Sequence, residues 1–436
     1  MCLFFWCYMF NIFFWKKETR FQKFKNKIKK ITKIVGPGFV TGASDDDPSG
    51  IGTYSVAGAK YGLQTLWLVP FLFPLMFVIQ EMCARIGIAT GQGLAANMQK
   101  FFPKYILYSI ILFLCIANII NIGADISIMA ASIKMLIGGS VNLWAIILSI
   151  IIILLQVFIA YHYYSKILLF LTLFLFAYVI TAFMTVNNWL EVIKFTFIPH
   201  VKFNKDFIIM LTAFIGTTIS PYLFFWQTSH EIEEIEDNGD QNPGRSLKRD
   251  LIKKMRIDTF WGMLFSQLIA FFIVVTCFAT LYKNGITNIL TAQDAAMALK
   301  PFAGNFSYLV FTLGIIGAGL LGIPVLAGSS AYALSQISNK KYSLSLKYNE
   351  AKFFYNIIIF SVVIGLLISF INISPIKALV YAAVVNGIVA VPIIFFIILL
   401  ANKTHVMGEH KNSKLSNFGA FFTCIIMFLC AIIMFW

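Results

Sequence analysis

Eleven long apolar segments, separated by shorter polar ones, run through this chain of 436 residues. Only 12% of its residues are charged, against about 25% in an average soluble chain. A helix of about 20 apolar residues spans the hydrocarbon core of a bilayer. The pattern therefore predicts an all-α polytopic membrane protein with eleven transmembrane helices, at residues 36–57, 62–84, 104–134, 142–161, 166–185, 207–229, 257–283, 302–337, 354–372, 376–400 and 417–435.

The basic residues are distributed unevenly among the connecting segments. Of the 34 Lys and Arg residues, 26 lie in or at the edge of segments on the same side as the N-terminus, and eight lie on the other side. Because positively charged loops stay in the cytoplasm, we expect the N-terminus inside and the C-terminus outside the cytoplasmic membrane. The net charge of +15 is then explained by topology, and no nucleic-acid partner is expected.

The polar ends of the chain carry weaker signals. Residues 1–35 are expected to form a cytoplasmic tail, in which 16–33 suggest a basic amphipathic helix on the inner leaflet. Residues 1–15 are apolar but lack the basic region and cleavage site of a signal peptide, and an over-extended translation start explains them equally well. The seven Cys lie mostly in apolar runs without CxxC spacing, so they are interpreted as small apolar fillers and no disulfide framework is expected.

Three adjacent carboxylates interrupt the first apolar segment, in Asp45-Asp46-Asp47-Pro48-Ser49-Gly50. Each charge at bilayer depth costs roughly 2.5–3.5 kcal/mol on insertion scales. The Pro and Gly break the helix, and broken backbone at that depth is tolerated only inside the protein or along a cavity. Carboxylates beside free carbonyl oxygens suit a hard cation, so the hexapeptide indicates a cation pathway.

A second interruption lies in the sixth segment, in Gly216-Thr217-Thr218-Ile219-Ser220-Pro221-Tyr222. Paired broken helices in corresponding positions of two halves indicate the binding site of a transporter. Five spans run from the first break to just before the second. This spacing predicts two inverted repeats of five helices plus one extra helix. We divide the chain into the tail 1–35, a first repeat 36–185, a second repeat 186–400 with a solvated cytoplasmic loop 230–256, and a last loop and span 401–436.

Four acidic residues lie deep in the apolar segments: Asp45, Asp46, Asp47 and Asp125. Asp47 adjoins the break and is predicted to bind the ion. Neighbouring helical residues point about 100° apart, so the three carboxylates cannot all face one site. Asp45 and Asp46 therefore each either contact the ion directly or line a polar vestibule. Asp125 has a pathway or proton role, or makes a structural hydrogen bond. No basic residue lies deep enough to neutralise all four, so some are protonated, some face water, or a cation provides the counter-charge.

Nearly the whole chain resembles the NRAMP divalent-metal transporters. The resemblance is carried by Gly36-Pro37-Gly38-Phe39 leading into Asp47-Pro48-Ser49-Gly50, and by Ser220-Pro221-Tyr222. Typical members carry Asp-Pro-Gly-Asn at the first break and Ala-x-x-Met-Pro-His at the second. The resemblance implies a LeuT-like fold that holds the metal between the two broken helices. By position it assigns the metal-binding Asp to Asp47, the Asn to Gly50, the Ala that offers its carbonyl to Thr217, and the Met to Ser220.

The departures from the family pattern indicate a different ion preference. Ser220 offers a hard hydroxyl oxygen where the family has a soft thioether, and Gly50 is expected to open space. Such a site suits a partly hydrated hard ion such as Mg²⁺, as in the subgroup associated with magnesium and manganese. The two family histidines align with Tyr222 and Gln227, so weak or absent proton coupling is expected. Asp125 matches an acidic residue of the third helix, while the acidic neighbour one turn earlier is replaced by Ile122.

We therefore expect a monomeric transporter that imports Mg²⁺ or Mn²⁺ by alternating access, with the metal ion and the lipid bilayer as its partners. No cofactor is expected besides the transported ion. Asp47, Thr217, Ser220, Gly50 and Asp46 are the predicted metal-site residues. Along the pathway we place Asp45, Asp125, Tyr222 and Gln227. The alternatives are a proton-coupled Mn²⁺ or Fe²⁺ symporter and a Na⁺- or H⁺-coupled amino-acid carrier, whose substrate carboxylate three Asp would repel. An intramembrane enzyme with paired aspartates would need a catalytic motif that the sequence does not offer.

Overall fold

A computed structural model of the chain describes residues 36–159, 161–202, 204–237, 239, 245–371 and 373–434. The expected amphipathic tail lies outside these residues. Within them the regular structure is helical. The first half forms α1 (Pro37–Asp45), α2 (Pro48–Tyr61), α3 (Leu68–Thr90), α4 (Leu94–Phe101), α5 (Lys104–Ile137), α6 (Val141–Phe158), α7 (Tyr161–Thr172), α8 (Phe176–Thr185) and α9 (Trp189–Phe197). The second half forms α10 (Lys205–Thr218), α11 (Pro221–Asp237), α12 (Arg245–Thr280), α13 (Ala292–Ala296), α14 (Lys300–Ala303), α15 (Ser307–Ile337), α16 (Lys352–Ser369), α17 (Pro375–Asn402), α18 (Thr404–Met407) and α19 (Lys414–Ile433).

Ten helical stretches of the described residues are long and apolar enough to cross a membrane. They correspond to the second to eleventh predicted spans. The first predicted span is the broken pair α1 and α2, whose halves have 9 and 14 residues and are individually too short. The prediction of an all-helical membrane protein is thus confirmed.

Proline starts the second half of each broken helix. Pro48 is the first residue of α2 and Asp47 is its N-cap, with the side chain accepting from the backbone N–H of Gly50. Pro fits this position because its fixed φ suits a helix start and its missing N–H would have no partner there. Pro221 likewise starts α11, and two residues separate it from the end of α10 at Thr218. Both predicted breaks are therefore confirmed.

The N-terminus of α1 is held by a side chain distant in sequence. Asp258 of α12 accepts hydrogen bonds from the backbone N–H groups of Gly36 (3.0 Å), Gly38 (2.7 Å) and Phe39 (3.2 Å). A carboxylate is favourable there because it meets unpaired N–H groups and the positive end of the helix dipole. The backbones of α1 and α12 also approach closely at Gly42 and Gly262, where a Cβ on Gly42 would clash with the Gly262 backbone. Helix α1 is thereby fixed along α12.

The polar insert 230–256 differs from the solvated connector that was expected. Its beginning continues α11 to Asp237, and its end belongs to α12. Glu231 and Glu233 are buried. Glu233 accepts from the Tyr332 hydroxyl (2.9 Å) and from the backbone N–H of Leu344 (3.2 Å). The carboxylates are buried because α11 packs against α15 and the segment that follows it.

Candidate metal site

The two breaks meet through short polar side chains. The Ser49 hydroxyl at the start of α2 donates to Asp47 Oδ1 (2.6 Å) and lies 3.4 Å from the Thr217 hydroxyl near the end of α10. One turn further along α2, the Tyr54 hydroxyl lies 3.1 Å from the Thr218 hydroxyl. The structure thus brings together Asp47, Gly50 and Thr217, three of the positions that the family resemblance assigns to the metal site.

Asp47 is held by four donors from three parts of the fold. Oδ1 accepts from the Ser49 hydroxyl and from the Gly50 N–H (2.9 Å), and Oδ2 accepts from the Asn121 carboxamide (2.8 Å) and the Tyr222 hydroxyl (3.3 Å). All four donors are neutral groups. Within the described residues no ion pair joins Asp47 to a basic side chain. In the described residues Asp47 is therefore positioned by hydrogen bonds without a basic partner, an arrangement that would leave the carboxylate available to a cation.

Asp45 and Asp46 share a hydrogen-bond donor on α12. The Ser266 hydroxyl is 2.7 Å from Asp45 Oδ2 and 3.3 Å from Asp46 Oδ1. Both carboxylates are fully buried, so the alternative in which they line a watery vestibule does not hold in this conformation. In the described residues the Asp46 and Asp47 carboxylates share no hydrogen-bond partner: Asp46 contacts Ser266 of α12, whereas Asp47 contacts Asn121 of α5 and Tyr222 of α11.

A metal at Asp47 would therefore draw most of its ligands from groups other than carboxylates. Across the described ranges, no three His, Cys, Asp or Glu side chains are arranged to hold a metal ion. The remaining candidates are backbone carbonyl, hydroxyl and carboxamide oxygens, which are ligands of hard cations.

The expected oxygens of the second break are already engaged in local hydrogen bonds. The Ser220 hydroxyl lies 3.0 Å from the Gly216 carbonyl and 2.9 Å from the Thr217 carbonyl, both of which accept from it. It thereby satisfies carbonyls that the break leaves without helical partners. Each carbonyl oxygen keeps a second lone pair, so these bonds are compatible with metal binding.

Gly50 does not leave the open space that its small size suggested. A Cβ at this position would lie 3.2 Å from the Asp45 carbonyl and 3.4 Å from both the Thr217 hydroxyl and the Tyr54 ring. The glycine lets α2 approach α10 closely. On the opposite side, a Cβ on Gly322 of α15 would lie 2.8 Å from the Asp47 Cβ. The expectation of a roomier site at Gly50 is therefore wrong in this closed arrangement.

The predicted pathway residues separate into two groups. Tyr222 reaches Asp47, and Asp125 is buried on α5 one turn beyond Asn121. No described group makes a hydrogen bond of normal geometry to either Asp125 oxygen. Gln227 lies elsewhere, because its carboxamide donates to the Thr259 hydroxyl (2.8 Å) and to Glu231 (3.2 Å).

Asn121 is the contact of Asp47 that sequence reasoning missed. A usable signal was present, because Asn118, Asn121 and Asp125 are spaced three and four residues apart and share one face of an otherwise apolar helix. Ser266 gave no such signal, since a lone serine in an apolar helix is common.

The site is closed in this structure. Asp47, Thr217 and Ser220 are each 1% exposed, and Asp125 is fully buried. Any access to Asp47 from outside the protein therefore requires helices around the two breaks to move.

Comparisons with known proteins agree with this architecture. Residues 38–436 match the family model described as natural resistance-associated macrophage protein-like. The chain is 21% identical to a divalent metal cation transporter MntH of Caldanaerobacter subterraneus subsp. tengcongensis, over 96% of the chain and 98% of that protein. It is 22% identical to a divalent metal cation transporter MntH of Clostridium acetobutylicum, over 95% of the chain and 93% of that protein.

Two solved structures share the fold. The manganese transporter of Eremococcus coleocola superposes with a TM-score of 0.74 at 16% identity, covering 92% of the chain and 85% of that structure. Mhp1, a nucleobase-cation-symport-1 family transporter in a closed conformation, superposes with a TM-score of 0.59 at 12% identity, covering 92% of the chain and 90% of that structure. The LeuT-like fold implied by the family resemblance is thus confirmed.

Proposed function

The chain belongs to the NRAMP family of divalent metal transporters, and from this premise we propose that it imports Mg²⁺ or Mn²⁺ across the cytoplasmic membrane by alternating access. The family consists of membrane transporters, so the intramembrane-enzyme hypothesis is abandoned. Family membership likewise favours a metal ion over an amino acid as the substrate. The N-terminus is proposed to lie inside and the C-terminus outside, as the positive loops favour.

The observation that carries this proposal is the state of Asp47. It is a buried carboxylate at the meeting point of two broken helices, and its hydrogen-bond donors in the described residues are all neutral. A buried charge without a counter-charge is unfavourable, and a bound divalent cation removes that deficit. The substrate thus supplies the positive charge that the chain itself does not.

The ligands offered around Asp47 favour hard ions. We assign the Asp47 carboxylate, the Thr217 carbonyl and the Ser220 hydroxyl to the metal, with water completing the shell. Mg²⁺ dehydrates reluctantly and keeps several waters, and Mn²⁺ also accepts carboxylate, carbonyl and water oxygens. The absence of a thioether at Ser220 removes the ligand that would favour softer ions. Gly50 contributes by allowing α2 to approach Thr217, and Asp46 acts from a distance through its charge.

Import needs no proton gradient in this scheme. A membrane potential contributes about 2.3 kcal/mol per charge per 100 mV, and a divalent ion gains twice that amount. Phenol and carboxamide side chains, here Tyr222 and Gln227, do not ionise near neutral pH. We therefore propose weak or absent coupling to protons.

The test is ion uptake into proteoliposomes with Mg²⁺, Mn²⁺, Ca²⁺ and Cd²⁺ presented separately. The native protein should transport Mg²⁺ and Mn²⁺, and Asp47→Asn should abolish uptake of both. Asp206→Asn is the matched control, because Asp206 is an exposed carboxylate paired with Lys60 at 3.0 Å. Uptake of Cd²⁺ without Mg²⁺ or Mn²⁺, or normal uptake by Asp47→Asn, would overturn the proposal.

A further inference from the structure

Asn121 is a buried residue that contacts Asp47 and keeps one atom of its carboxamide unpaired. It lies on α5, outside both broken helices, and it is fully buried. Its Nδ2 donates to Asp47 Oδ2 at 2.8 Å. Its Oδ1 has no hydrogen-bond partner in the described part of the chain. A buried acceptor without a partner is costly, so the oxygen needs a ligand or a reason to remain unpaired.

The orientation of the carboxamide is fixed by charge. Placing Oδ1 against the Asp47 carboxylate would bring two acceptors together, whereas Nδ2 offers a donor. Since the two amide atoms share one carbon, Oδ1 lies within a few ångströms of Asp47. The unpaired oxygen therefore belongs to the immediate surroundings of the carboxylate proposed to bind the metal.

Holding Asp47 in place does not by itself explain Asn121. The carboxylate also accepts from the Ser49 hydroxyl, the Gly50 N–H and the Tyr222 hydroxyl. Asp47 thus keeps three donors when the bond from Asn121 is broken. A cation arriving at Oδ2 competes with the N–H for the same oxygen, and rotation of the amide about its terminal bond then presents Oδ1 to the ion.

We propose that the carboxamide oxygen of Asn121 is a further metal ligand and a determinant of ion preference. The inference rests on the proposed function, since it adds a ligand to the Asp47 site. A neutral carboxamide oxygen is a hard donor of the kind that Ca²⁺ and related ions accept from Asn side chains. It also ties α5 to the ion, so that metal binding would draw together the two broken helices and a helix outside them.

The experiment compares Asn121→Leu with Asn121→Asp in proteoliposomes, using Mn²⁺ and Mg²⁺ as substrates. The Leu side chain removes both the N–H and the oxygen, whereas Asp removes the N–H and keeps an oxygen ligand. If the oxygen binds the metal, Asn121→Leu should raise KM by about tenfold or more, the range seen when groups supporting a metal site are lost. Asn121→Asp should keep a KM at or below that of the native protein.

The matched control is Ser132→Ala on the same helix, where the hydroxyl donates to the Ile128 carbonyl (2.8 Å) and touches no site residue. It should leave KM unchanged. If Asn121→Asp raises KM as much as Asn121→Leu, the residue acts only through its N–H and the inference is wrong. Near-native KM in Asn121→Leu would also overturn it.

Folding is checked separately by thermal unfolding of each purified variant in detergent. If Asn121→Leu does not fold, Asn121→Asp alone decides, because its KM rises under a positioning role and does not under a ligand role. Failure of the native protein to transport any divalent ion would instead count against the proposed function. The two failures are therefore distinguishable.

Discussion

Two buried carboxylates in this molecule are surrounded very differently. Glu81 on α3 pairs with Arg85 at 2.9 Å and with Arg256 of α12 at 2.8 Å. Asp47 is also buried, but the groups that donate to it are neutral. A buried charge needs a counter-charge wherever it lies. At Glu81 the chain supplies that charge permanently, whereas at Asp47, in the function we propose, the transported cation supplies it.

The surroundings of Glu81 indicate a structural role. Arg85 also donates to the His410 carbonyl and to Asn412 Oδ1 (2.7 Å), in the segment between α17 and α19. The ion pairs and these hydrogen bonds together join α3, α12 and that segment. We therefore expect Glu81, whose partners are permanent, to contribute to stability, and Asp47, whose proposed partner is a transported ion, to contribute to transport. The predictions below test this division.

The largest effect is expected on stability at Glu81. Glu81→Ala leaves the buried Arg85 without its carboxylate, which should destabilise the protein by about 3 kcal/mol. Asp47→Asn removes an uncompensated charge and keeps a good N-cap, so its stability should change by less than about 1 kcal/mol. Unfolding in detergent measures both. Equal losses in the two variants would remove the distinction between the two carboxylates.

Metal addition should sharpen the same contrast. At 100 times its Kd, a ligand that binds only the folded state adds about 2.7 kcal/mol of stability. The native protein and Glu81→Gln should both gain this increment with Mn²⁺, and chelation should reverse it. Asp47→Asn should gain nothing. A metal-dependent shift that persists in Asp47→Asn would place the ion somewhere else.

The sequence was sufficient for the breaks but not for the directions of the side chains around them. Pro48 and Pro221 mark the helix starts, and apolar runs mark the spans, because both are local properties. Asp45 and Asp46 turn toward Ser266, which lies more than two hundred residues away in the chain. Glu233 is buried by Tyr332, 99 residues away, and Leu344, 111 residues away. Such contacts depend on tertiary packing that no local pattern specifies.

A smaller effect is expected on ion preference at the second break. Ser220→Met places a soft thioether where the hydroxyl now caps two carbonyls. The ratio of Cd²⁺ to Mg²⁺ uptake should rise about tenfold, equivalent to ~1.4 kcal/mol. An unchanged ion ranking in Ser220→Met would show that this position does not set selectivity.

Gly50→Ala tests the neighbouring contact, since its Cβ would lie 3.2 Å from the Asp45 carbonyl. It should lower uptake of all ions alike.

The smallest effect is expected at Asp125, the buried carboxylate of α5 that lacks a well-formed hydrogen bond in the described residues. A proton-coupled carrier needs a group whose protonation changes with metal binding. Tyr222 beside Asp47 is a phenol, and Gln227 is bound to Thr259 and Glu231 away from the site. Uptake of Mn²⁺ should therefore produce little acidification inside liposomes that contain a pH-sensitive dye. Asp125→Asn should leave both the dye signal and the uptake rate close to native.

The control for weak proton coupling compares uptake driven by a membrane potential with uptake driven by a pH gradient. Uptake should follow an imposed potential, because a divalent ion carries two charges through it at about 2.3 kcal/mol each per 100 mV. An imposed pH gradient at zero potential should barely drive accumulation. Acidification in proportion to Mn²⁺ entry, lost in Asp125→Asn, would mean that Asp125 carries a proton without the family's imidazoles. Asp47 would then bind the metal and Asp125 would carry a proton. The contrast with the permanently paired Glu81 would in that case apply to proton transfer as well as to metal binding.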